Sequence, residues 1–114
     1  MTDTISTRER TPPDLPIACG LDDLALARRS EAVRRDLFVG VEERIELPAG
    51  YAFRFSGSAD WPERIGAFVA TERTCCSYFR IGVTYEPGLG PIWLQLTGAD
   101  GVKDFIAVTF GMRP

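Results

Sequence analysis

VEERIELPAGYAFRFSGSAD, residues 41–60, is the stretch that decides the fold. Val41, Ile45 and Leu47 alternate with charged residues, Pro48-Ala49-Gly50 turns the chain, and Tyr51, Phe53 and Phe55 alternate with Ala52 and Arg54 on the return. A period of two on both sides of a Pro/Gly turn predicts a β-hairpin with one buried face. Residues 56–59 then lead to Asp60, with Pro62 and Glu63 behind it, a capping-box pattern with Asp in the Ser/Thr place and proline where its missing N–H costs nothing. Ile65, Phe68, Val69, Glu72 and Cys76 follow at helical spacing.

The same order recurs downstream in FRIGVTYEPGLGPIWLQLTGAD, residues 79–100. Phe79, Ile81, Val83 and Tyr85 form one predicted strand and Ile92, Leu94 and Leu96 the next, around the turn Pro87-Gly88-Leu89-Gly90. Thr97-Gly98-Ala99-Asp100 then opens a helix with Val102, Phe105, Ile106 and Phe110 on its inner face. Upstream, a further helix is expected from Asp22 as N-cap to a close at Gly40. Its stripe is Leu26, Ser30, Val33 and Leu37, widened by Leu24, Ala27 and Phe38, while Arg28, Arg29, Arg34 and Arg35 read as a solvated face. The expected fold is therefore α+β: an N-terminal helix followed by a duplicated strand-strand-helix unit, giving a four-stranded antiparallel sheet with helices on one face. Phe53, Phe55, Ile81, Val83, Leu94 and Leu96 should face the helices. Residues 1–16, polar and holding Pro12, Pro13 and Pro16, read as a flexible arm, and residues 17–114 as a single domain.

Composition narrows the function. The chain has 114 residues, enough for one core, and a formal charge of −3, which does not attract a polyphosphate. Nucleic acid is therefore not an expected partner. Apolar runs are too short to span a bilayer, and the first residues lack an apolar stretch with a small-residue cleavage site, so neither a membrane nor export is expected. The expected location is the cytoplasm, where thiols stay reduced, and three cysteines are an odd number for a disulfide scaffold. There is no histidine, which excludes a Ser-His-Asp triad, a Cys-His dyad, an HExxH zinc site and imidazole-held haem.

What remains is thiol chemistry at Cys19, Cys75 and Cys76. Cys19 lies just ahead of the first predicted helix, where the dipole lowers a thiol pKa. Cys75 and Cys76 fall where the second predicted helix ends. Neighbouring helical residues point about 100° apart, but the backbone can leave helical geometry there and let both thiols meet one ion. Arg73 and Arg80 are close in sequence and could offset the unfavourable dipole at that end; Glu72, one turn before Cys76, is a candidate weak ligand, with a solvated or ion-paired carboxylate the plainer reading. The plainer alternative is that the cysteines are core residues, since free cysteine is among the most buried side chains. Three thiolates without imidazole suit Hg(II), Cu(I) or As(III) better than zinc, which takes a fourth ligand and usually two CxxC-type pairs.

The segments Ile17-Ala18-Cys19, Glu46-Leu47-Pro48-Ala49-Gly50-Tyr51, Glu72-Arg73-Thr74-Cys75-Cys76-Ser77-Tyr78-Phe79 and Trp93-Leu94-Gln95-Leu96-Thr97-Gly98 resemble a family of small, uncharacterised bacterial proteins. That family's pattern is a lone early cysteine, then ELPxGY, ERxCCPFF and VWLxLTG; here it departs at Ser77, where proline is commoner. The likeness runs from Ile17 to Phe105. It implies an association with mercury- and arsenic-resistance gene neighbourhoods, and it carries over Cys19, Cys75 and Cys76 alone.

The leading expectation is a protein that binds a thiophilic metal or metalloid through these three thiolates, for sequestration, delivery or detoxification. A second is a thiol-dependent redox or transfer enzyme using the Cys75-Cys76 pair, although CxxC and a general base are both missing. A third is a non-catalytic module that forms a homodimer through an uncovered sheet face bearing Trp93, Arg54 and Tyr78.

Overall fold

The computed structural model describes residues 23–75 and 78–110. In chain order these form helix α1 (Asp23–Asp36), a 3-10 turn (Phe38–Gly40), strands β1 (Glu43–Leu47) and β2 (Gly50–Phe55), helix α2 (Trp61–Cys75), strands β3 (Arg80–Tyr85) and β4 (Ile92–Thr97), and helix α3 (Val102–Thr109). The protein is α+β, with one antiparallel four-stranded sheet in the order β1-β2-β4-β3. Each hairpin pairs with itself, and the two meet along β2 and β4, where Gly50 lies opposite Thr97 and Phe55 opposite Ile92.

The register sets the two faces. Phe53 pairs with Leu94 and Tyr51 with Leu96, and on the other side Val83 pairs with Leu94 and Ile81 with Leu96. Those side chains share one face because successive residues in a strand alternate. Phe53, Phe55, Ile92, Leu94 and Leu96 are almost wholly buried, in one cluster with Ile65 and Phe68 of α2, Val102 and Ile106 of α3, and Val33 of α1. The six residues expected to face the helices all lie on that face, although Ile81 and Val83 on the β3 edge are only half-buried. Strand β1 reaches past the core: its inward positions, Arg44 and Glu46, are exposed, and Glu46 pairs with Lys103 of α3, which holds its carboxyl below the usual range.

Two helix boundaries differ from the sequence expectation. Helix α1 ends at Asp36 and not at Gly40, because Phe38–Gly40 tightens into a 3-10 turn closed by Gly40 N–H to the Leu37 carbonyl at 2.9 Å. Gly40 serves packing there: a Cβ on it would lie 2.1 Å from the Trp61 ring. The N-cap of α3 is Gly101, one residue beyond Asp100, with φ 96°, a left-handed conformation that glycine adopts without strain. The stripe of α1 is narrower than expected, since Leu24 and Ala27 are exposed while Ser30, Val33 and Leu37 are buried. The expected N-cap Asp22 and the expected arm lie outside the described residues.

Gly50, the first residue of β2, is needed for close approach. A Cβ there would sit 1.9 Å from the Leu96 carbonyl oxygen, a backbone atom that cannot swing aside. Gly50→Ala is expected to destabilise the protein by about 1–3 kcal/mol, the usual range for forced overpacking. In urea unfolding this should appear as a lower midpoint at unchanged slope; an unchanged midpoint would mean that the β2–β4 junction yields freely.

Candidate functional site

Helices α1 and α2 run antiparallel. Midway along α1, Arg29 donates from Nε (3.2 Å) and Nη2 (3.0 Å) to Oε2 of Glu72, in the last turn and a half of α2. At the opposite end, Arg64 of α2 donates to the Asp36 carbonyl at 3.0 Å while its Nε holds Asp60. Between the helices lies a cleft of about 340 Å³ floored by Val33, Leu37 and Phe68. The end of α1 therefore stands beside the first turn of α2, and the middle of α1 beside its last turn.

Glu72 shapes that end. Its side chain is 3 % exposed, so the carboxylate depends on Arg29 for compensation. Burial pushes its pKa up, and the charge and hydrogen bonds of Arg29 pull it part of the way back. The expected set of solvated arginines is thus wrong at one position: Arg29 crosses to α2. Arg34 stays exposed, as expected, while donating to the carbonyl of Thr109, the last residue of α3. The sequence did carry a signal, since Arg29 stands four residues before Val33 and lies at the edge of the buried stripe.

Tyr78 overturns a second expectation. The sequence pattern sets it with Trp93 and Arg54 on the open sheet face, but it is only 4 % exposed and lies in the core. Its ring packs on Phe79 (4.8 Å between centroids) and edge-on to Phe105 (5.4 Å). The alternation of a strand does not reach it, for β3 starts only at Arg80, and Tyr78 and Phe79 are both buried. The Tyr78 hydroxyl is buried and has no hydrogen-bond partner among the described residues. Desolvation, with the nearby Glu72 charge added, pushes its pKa up, so the phenol stays protonated at all ordinary pH.

Cys75 is the last residue of α2 and follows Glu72 by one turn. Its side chain, together with Cys19 and Cys76, lies outside the described residues, so the convergence expected of the three thiols falls there too. Among the described residues no three His, Cys, Asp or Glu side chains gather into a metal-binding group. On the open sheet face, Arg54 and Trp93 are cross-strand partners, and Arg54 reaches Glu43 at 3.3 Å and Glu42 at 3.5 Å. The 3.5 Å approach is too poorly aligned to satisfy Arg54 Nε, which is left without a hydrogen bond. No described helix is long and apolar enough to cross a membrane. Compared with protein-family models, with curated proteins and with solved structures, the chain matches none.

Proposed function

We propose that this protein binds a thiophilic metal or metalloid, of the Hg(II), As(III) or Cu(I) class, through the thiolates of Cys19, Cys75 and Cys76, and that it sequesters, delivers or detoxifies it in the cytoplasm. The observation that carries this reading is the antiparallel run of α1 and α2, tied by Arg29 to Glu72 and by Arg64 to Asp36. Cys19 stands four residues before α1 and Cys75 ends α2. An antiparallel pair points the N-terminal end of α1 and the C-terminal end of α2 in the same direction, which supports a site built from the residues flanking both. With no histidine in the chain, sulfur is the only soft donor available in number. The two strand-strand-helix runs are, in the same reading, copies of one unit, supported by the mirrored order β1-β2-β4-β3.

The test is titration of reduced protein with Hg(II) and As(III), alongside Cys19→Ser. Outer-shell partners alone are worth about 10–100-fold in metal affinity, so loss of a sulfur ligand should weaken binding at least that much. Equal affinity in the variant would remove Cys19 from the site and leave a two-thiol centre. A second reading is a homodimer through the open sheet face, where Trp93 is partly exposed. Sedimentation across a concentration series checks it: a monomer at every concentration sinks that reading.

A further inference from the structure

Strand β3 leaves one side of its main chain without a partner. Its pairing with β4 is regular from Arg80 opposite Thr97 to Tyr85 opposite Ile92. Glu86 carries the ladder one residue further, donating its N–H to the Pro91 carbonyl at 3.2 Å. Main-chain groups alternate sides along a strand, so Thr84, Gly82 and Arg80 also turn theirs to β4. Ile81, Val83 and Tyr85 therefore direct N–H and C=O outward, and none of these groups has a partner among the described residues. Their side chains add apolar surface: Ile81 and Val83 are half-buried, and Tyr85 is 59 % exposed.

This edge is complementary to itself. In an antiparallel pair about a two-fold axis at Val83, Val83 lies opposite Val83 of a second copy, Ile81 opposite its Tyr85, and Gly82 opposite its Thr84. The outward groups then bond one another, and the small residues Gly82 and Thr84 take the closely spaced positions between those bonds. Arg80 lies opposite Glu86 of the second copy, twice by symmetry, and both residues are exposed. Glu86 has no ion-pair partner among the described residues. The acids of the β1 edge are already engaged, Glu43 by Arg54 and Glu46 by Lys103. Shifting the pair by two residues destroys the match. One way brings Pro87, which has no N–H, opposite Ile81; the other sets Glu86 against Tyr78, which is buried.

We propose that two copies of this chain join through β3, antiparallel and centred on Val83, into one continuous sheet with both helix layers on the same side. The contact is closed, since each copy uses the same edge once. A six-residue edge is small against the ~1,600 Å² of a standard stable interface, so the dimer is reversible and forms at high protein concentration. It leaves the open sheet face bearing Trp93 unused, and it does not depend on the thiol site.

The test is sedimentation of the reduced full chain over a concentration series, with amide hydrogen exchange followed across the same series. The dimer fraction should rise with concentration, and the amides of Ile81, Val83 and Tyr85 should become protected with it. Arg80→Glu and Glu86→Arg each set like charges opposite one another at both ends of the contact, and each should weaken dimerisation about tenfold. The double variant Arg80→Glu/Glu86→Arg should restore it to within about twofold of the parent. A monomer at every concentration up to about 1 mM overturns the proposal. So does a dimer in which those three amides exchange as fast as in the monomer, the outcome expected of a contact through the open face. A double variant as weak as either single one overturns the Val83-centred register.

Discussion

Phe53→Ala should cost about 3–5 kcal/mol, the range for truncating a buried aromatic side chain. Phe53 is 1 % exposed at the centre of β2, opposite Leu94, with the Phe38 ring 4.8 Å away and the Tyr51 ring at 6.2 Å. It joins the sheet to the turn after α1, since Phe38 also meets Phe110 at 4.9 Å. Truncation would open a void walled by β4 and by residues of two other elements, and a site fixed from several directions collapses poorly. Against a typical net stability of about 5–15 kcal/mol, that loss leaves a marginal or unfolded protein at physiological temperature. Chemical denaturation of the purified variant reads it directly; a loss below about 1 kcal/mol would mean that Phe53 is not inside.

Arg29→Met should have an effect of similar size, and one that depends on pH. The variant keeps an aliphatic stem and removes the guanidinium, leaving Glu72 buried without its partner. Breaking a buried pair from one side costs about 3–5 kcal/mol, because the remaining charge stays desolvated. The sign follows from the pKa. Burial, the larger influence, raises the Glu72 carboxyl above its unfolded value, and Arg29 holds that rise down. A carboxyl raised in the folded state contributes stability that is fully present below its unfolded pKa and is lost as pH rises through its folded pKa. Without Arg29 the folded value rises further and the loss deepens. The deficit against the parent should therefore be largest at neutral pH and shrink as acid protonates Glu72. Urea midpoints over a pH series check this, and a deficit constant with pH would assign the cost to packing instead. Glu72→Gln should be milder, since Arg29 is 25 % exposed and can turn to water.

The sheet was legible in the sequence because its signals are short-range. Alternation in residues 41–55 and 79–96 gave both hairpins, and Phe53, Phe55, Leu94 and Leu96 declared the inner face by pattern alone. The order of the four strands was not legible, because the meeting of β2 with β4 depends on how α2 crosses between the hairpins, and no local pattern encodes that. The end of the first helix was missed because glycine usually marks a C-cap, whereas Gly40 is small to admit the Trp61 ring. At the candidate site, Glu72 was recognised as part of the buried face of α2, and an ion pair was weighed for it. Arg29 was not recognised as its partner, since an arginine at the rim of a stripe can point either to water or across a helix junction. Tyr78 was missed for a related reason: the two residues between a helix and a strand obey neither period.

Strand order also decides which side of the sheet is open to growth. Since the hairpins meet in the middle, β1 and β3 are both borders, each with a row of main-chain groups that no described strand pairs. The β1 border carries Glu43, Arg44 and Glu46 along five residues, and such a density of exposed charge resists the approach of another strand. The β3 border is plainer, with Arg80 its one charged residue and Gly82, Val83 and Thr84 in its middle. Lateral addition of a foreign strand, and with it the first step of ordered aggregation, is therefore directed to β3. A charge introduced at Thr84, which is exposed there, is the substitution that would guard it.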